Sequence, residues 1–245
     1  MEEVGKALKS IFDKLSDFFD IFDLSFFVSG VALTGSILFW LNEREMYTFQ
    51  EIQFKGIIIV YILICYIAGM IAFATGRWIR IVVWENLKSL FKKKNRFELF
   101  DEYFKEVIKA HELNNNPTIK EYLNKQELRS WRLYIRLWAV IRENKKYANS
   151  LSIIKRYWVM AATYDGLSFF SLIATLITAD LGFGILGDKT ITNCCVVFPI
   201  IAFTLSAFLI CIREADRYLK NQVEEVIATI AAGEKECISN CRMCL

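Results

Sequence analysis

One carboxylate stands where chemistry would be expensive. Asp165 lies about two turns inside a long apolar run, in Ala161-Ala162-Thr163-Tyr164-Asp165-Gly166. In lipid an acidic side chain costs on the order of a few kcal/mol unless it is paired or faces water. Asp165, with Ser168 one turn on, is therefore expected either to line a pore or coordinate an ion, or to be paired structurally. The candidate partners are Arg77 or Arg80, or a hydrogen bond to Tyr66 or Ser168. A second candidate is the stripe Lys125, Arg129, Arg132, Arg136, whose spacing of four, three and four places all four cations on one helical face. Trp131 and Trp138 fall on a neighbouring face. Such a face suits a nucleotide, an oligonucleotide or phospholipid headgroups; the plainer reading is a solvated face.

The remaining reactive side chains suggest no catalyst. Cys237, Cys241 and Cys244 fall on one side of a helix, but their spacing matches no standard metal motif, and reduced, non-ligating thiols are expected. Cys65, Cys194, Cys195 and Cys211 lie in or beside apolar runs, where a thiol behaves as a small apolar group. His111 has no adjacent base or nucleophile. There is no Walker loop, dinucleotide fingerprint, zinc-protease helix or nucleophile elbow. The expectation is a protein with no cofactor, no metal and no enzymatic activity.

The elements that must position these residues follow from composition. Hydrophobic residues make up 55% of the 245 and only two prolines occur, which points to an all-α chain whose solvent is partly lipid. Four apolar stretches are read as spans: Leu24–Leu41, Gly56–Gly76, Tyr157–Ala179 and Asn193–Ile212. Pro199 is expected to bend the last, and Arg213 to end it. Asn42–Lys55 and Asp180–Thr192 are read as short loops. The predicted organisation is an amphipathic N-terminal helix (1–23), a first transmembrane hairpin (24–76), a basic helical domain (77–156), a second hairpin (157–212) and a helical tail (213–245).

Charge sets the expected orientation. The segment 77–156 holds nineteen of the 30 Lys and Arg, whereas the two short loops hold two and one. The positive-inside rule then places the basic domain and both termini in the cytoplasm of a cell that inserts the chain in its inner membrane. The basic domain has nine acids and carries +10, while the stretch up to Asp23 carries −3. Asp13, Asp17 and Asp20 share the polar face of the N-terminal helix and are candidates for a latch on the basic domain. Within the domain, Arg96–Leu113 is expected to be helical, Asn114–Pro117 a turn, and the following helix to break near Asn149.

Small residues recur every fourth position at Ala68, Ala72 and Gly76, at Ala162 and Gly166, and at Gly30 and Thr34. In membranes such stripes let helices approach closely, in a bundle or an oligomer.

The opening Ile21-Phe22-Asp23-Leu24-Ser25-Phe26-Phe27-Val28-Ser29-Gly30 resembles the start of small bacterial membrane proteins. The layout of two hairpins around a basic helical domain is similar to membrane effectors of antiphage systems, the Hailong and Kiwa membrane subunits among them. That resemblance implies an oligomeric, channel-like effector that depolarises the inner membrane when a partner protein or a nucleotide signal engages the cytoplasmic domain. Residue by residue it carries over nothing. The competing expectation is a non-conducting scaffold that recruits a cytosolic partner; a lipid-active or acyl-transfer enzyme ranks third.

Overall fold

A computed structural model describes residues 21–44, 55–84, 96–113, 119, 130–185 and 194–242. Among these residues the chain is all-helical, with no strand. The helices are α1 (Ile21–Glu43), α2 (Lys55–Ile79), α3 (Arg96–Ala110), α4 (Ser130–Glu143), α5 (Ala148–Phe183) and α6 (Cys194–Arg242). A π-helical turn, Arg80–Trp84, continues α2, and a 3-10 turn, Lys145–Tyr147, precedes α5. Four helical stretches are long and apolar enough to cross a membrane, lying within Ser25–Glu43, Val60–Val83, Lys145–Phe183 and Val196–Gly233. The N-terminal helix with Asp13, Asp17 and Asp20, and the turn at Asn116-Pro117, lie outside the described residues.

Two sequence expectations are corrected, at Asp180 and near Asn149. Asp180 does not open a loop, because α5 continues to Phe183. It stops there because Gly184 takes a left-handed φ of 64° and donates its N–H to the Asp180 carbonyl at 2.8 Å, which satisfies an end carbonyl. At Arg213 the backbone does not stop: the fourth apolar stretch and the tail form one helix, α6, of 49 residues to Arg242. Nothing in Arg213-Glu214-Ala215-Asp216 breaks a helix, so polarity changes there while backbone geometry does not. The break before the third span falls at Asn144 instead of Asn149. Asn144 is extended (φ −103°, ψ 113°), and its Oδ1 accepts from the Lys146 N–H at 3.2 Å, a local bond that competes with helix continuation.

The chain forms two compact units, and α5 and α6 each contribute to both. The first comprises residues 1–80 and 159–215. Its helices meet at glycine. A Cβ on Gly30 would overlap the Cys65 carbonyl, and one on Gly69 would overlap the Phe26 carbonyl. The two glycines therefore let α1 and α2 pack backbone to backbone in both directions. A Cβ on Gly166 would sit 2.7 Å from both Cβ and Oγ of Ser29, so α5 approaches α1 closely too. The outward faces are apolar, with Phe39, Val60, Leu63, Ile71, Phe203 and Ile210 more than half exposed. That inversion of the usual surface suits a lipid solvent. Hydroxyls bond back to their own helices, Thr163 to the Val159 carbonyl (2.9 Å) and Ser206 to the Ala202 carbonyl (2.7 Å), which satisfies them without water.

The second unit comprises residues 81–158 and 216–245 and has a core of ordinary kind. Phe104, Val107 and Ile108 of α3, Leu133, Tyr134, Leu137 and Ile141 of α4, Ile154 of α5, and Val223, Val226, Ile227 and Ile230 of α6 form one buried cluster. Their spacings of three and four give each helix a single apolar stripe. Tyr103 at the edge donates to Glu224 Oε1 at 2.9 Å. Burial, then the Glu224 carboxylate, pushes the Tyr103 phenol well above the ordinary tyrosine range; burial alone does the same to Tyr134.

Candidate functional site

Among the described residues, the first unit buries two ion pairs, and α5 contributes the carboxylate to both. Asp165 is 2% exposed and Arg80 3%. The guanidinium meets the carboxylate side-on, Nε to Oδ1 at 2.7 Å and Nη2 to Oδ2 at 3.1 Å. Local sequence sets this up. Gly76 lacks the Cβ that would overlap the Asp165 carbonyl, so α2 lies directly on α5 there. One turn later Arg80 opens the π-helical turn and reaches the carboxylate. Such turns are rare and concentrate at functional sites. Arg77, the other arginine offered by the sequence, is exposed. Ser168 is fully buried, and its hydroxyl donates to the Asp165 backbone carbonyl at 2.7 Å, not to the carboxylate.

The second pair was not anticipated from sequence. Arg44, just past the end of α1, places Nη2 2.6 Å and Nε 3.2 Å from Asp180 Oδ2. The Trp40 indole N–H donates to the same oxygen at 2.7 Å, and Arg44 Nη2 also reaches the Asp180 carbonyl at 3.3 Å. Both charged side chains are more than nine-tenths buried. Trp40, by its position at the end of a span, reads as an interface anchor; its polar edge is in fact spent on Asp180. The available signal was that Asp180 directly follows one apolar run and Arg44 stands three residues past the end of another, on segments that a two-hairpin topology brings to one face.

Fifteen residues of α5 separate the two aspartates, a rise of about 22 Å. Against a hydrocarbon thickness of about 30 Å, one pair sits towards each end of the apolar region. Between them α5 carries Ser168, Ser171, Thr175 and Thr178. Thr175 Oγ1 lies 2.8 Å from Thr204 Oγ1 of α6, a hydroxyl–hydroxyl contact inside the apolar layer. The buried carboxylates thus have complete cationic partners. As the structure stands, Asp165 is a paired charge and not a bare one.

In the second unit Arg132 and Arg136 lie exposed on α4, whereas Lys125 and Arg129 fall outside the described residues. Whether the four cations share one face is therefore decided only for that pair. Cys237 and Cys241 lie on the backbone of α6; their side chains and Cys244 are outside the described residues. No group of three or more His, Cys, Asp or Glu able to hold a metal occurs among the described residues. His111 and Glu112 edge a shallow cavity of about 370 Å³, otherwise lined by Ala110, Ala228, Ala231 and Ala232.

Compared with known proteins, the chain matches no family model, no curated protein and no solved structure.

Proposed function

We propose that the chain is a pore-type membrane effector, a channel assembled from several copies and gated through its basic helical domain. The observation that carries this reading is the Arg80–Asp165 pair inside the apolar bundle. Replacing a buried ion pair by packed apolar side chains is often neutral or stabilising. A bundle that only anchors something has no physical need of such a pair, whereas a gate gains a two-state contact from it: closed when paired, and a source of hydrated charge when parted. Four spans enclose no comfortable pore in one subunit, so oligomerisation is part of the proposal. The basic domain and both termini face the cytoplasm in this reading, on the strength of the lysine and arginine distribution. The acidic N-terminal helix acts as the latch, and a polyanion or partner protein competing for the basic face releases it. The resemblance to antiphage effectors supplies a setting, depolarisation of the inner membrane during infection.

The test is ion flux from liposomes holding the purified chain, with wild type compared with Asp165→Asn, Arg80→Gln and a chain lacking residues 2–20. The channel reading expects truncation to raise basal flux and either substitution to change it. Flux absent from all four would favour the second reading, a non-conducting scaffold for a cytosolic partner. That reading draws on one observation of its own. Asp165 with Arg80, and Asp180 with Arg44, are engaged in two separate pairs, and the second unit has a hydrophobic core of its own to hold a partner-binding surface in shape.

A further inference from the structure

Helix α4 turns one stripe into the core of the second unit through Ser130, Leu133, Tyr134, Leu137 and Ile141. Its opposite face is not simply polar. Trp131 is 47% exposed and Ile135 49%, and between and beside them stand the exposed Arg132, Arg136 and Arg142. At 100° per residue, Trp131, Arg142 and Ile135 lie together, with Arg132 and Arg136 on the adjoining flank. The Trp131 ring is braced from beneath by Phe100 (centroids 5.8 Å, edge-on) and Tyr134 (5.4 Å), so it is held outward in a fixed pose.

We propose that this face of α4 rests on the headgroup layer of an anionic bilayer, with Trp131 and Ile135 entering the boundary and Arg132 and Arg136 meeting lipid phosphates. The chemistry matches on both counts. Tryptophan is favoured at the membrane–water boundary, and an amphipathic helix with arginines flanking an apolar edge lies in that plane. The segment from 77 to 156 carries +10, the sign that an anionic leaflet attracts. In chain order, α4 is followed, after one 3-10 turn, by α5, which contains a membrane-length apolar stretch. A second copy of the chain is a poorer occupant. A two-fold contact through this face would set Arg132 and Arg136 of one copy against those of the other. A nucleic acid would use the arginines but leave Ile135 exposed to no purpose. The inference stands apart from conduction, and applies equally to a channel and to a scaffold.

The experiment places a photocrosslinker on the face, Ile135→p-benzoylphenylalanine, in the full-length chain. The chain is reconstituted in nanodiscs of phosphatidylcholine, with or without phosphatidylglycerol, and adducts are identified by mass spectrometry after illumination. The expected result is phospholipid adducts, enriched in phosphatidylglycerol where it is present. Adding Arg132→Gln and Arg136→Gln, both at exposed positions, should lower the yield about tenfold in the anionic discs and little in the neutral ones. Adducts to a second copy of the chain, an absence of lipid adducts, or a yield indifferent to the arginine changes would each overturn the proposal.

Discussion

Arg80 and Asp165 form a two-point ion pair, Nε–Oδ1 at 2.7 Å and Nη2–Oδ2 at 3.1 Å, with each partner at least 97% buried. Removing one partner leaves an uncompensated charge in an apolar layer. Arg80→Gln should therefore lower stability by about 3–5 kcal/mol, and Asp165→Asn should do likewise. The double change Arg80→Met with Asp165→Leu should recover most of the loss, since nothing charged is left to desolvate. Thermal unfolding of the detergent-solubilised variants reads this directly. A double variant no better than either single would mean the pair is not the unit of stability.

At the other clamp, Trp40 and Arg44 share Asp180 Oδ2. Trp40→Phe keeps the ring but removes one donor to a carboxylate, an expected loss of about 1.5–3 kcal/mol. Arg44→Gln should cost more than Trp40→Phe, because it strips the charge itself. The order of the two melting temperatures is the check.

Glycine positions in α1 should differ sharply in what they tolerate. Gly30 lies on the Cys65 carbonyl with no room for a Cβ, whereas around Gly35 nothing lies within 4 Å. Gly30→Ala should force α1 and α2 apart and reduce the yield of monodisperse protein. Gly35→Ala should leave it unchanged or improve it, since alanine is the better helix former by about 1 kcal/mol. Size-exclusion profiles of the two variants decide the matter.

Alkaline pH should loosen the second unit. Tyr103 and Tyr134 both have folded-state phenol pKa values raised above the unfolded value, chiefly by burial. Above about pH 10 the unfolded chain loses these protons while the folded one keeps them. The folded state then binds more protons, and stability falls as pH rises. Tyr103→Phe and Tyr134→Phe should each flatten that fall, in circular dichroism melts taken between neutral pH and pH 11.

Composition and patterning alone make a helical chain with four membrane-length apolar stretches legible, because runs of about 20 apolar residues with few prolines allow little else. The sequence also singled out Asp165, since a lone acid in such a run stands out, and it named Arg80 among the residues able to pair with it. Tertiary structure decided which arginine pairs. Arg77 and Arg80 are three residues apart and alike in type, and only the approach of α2 to α5 at Gly76 selects Arg80. It also decided the Arg44–Trp40–Asp180 cluster. Asp180 is far in the chain from Trp40 and Arg44, and each reads locally as an ordinary end-of-span residue. Helix ends depend on a single φ, as at Gly184, and α6 passes through a change of polarity with no change of backbone. Periodicity reports which face of a helix is apolar; which helix will cover that face depends on packing, and packing is a property of the folded chain.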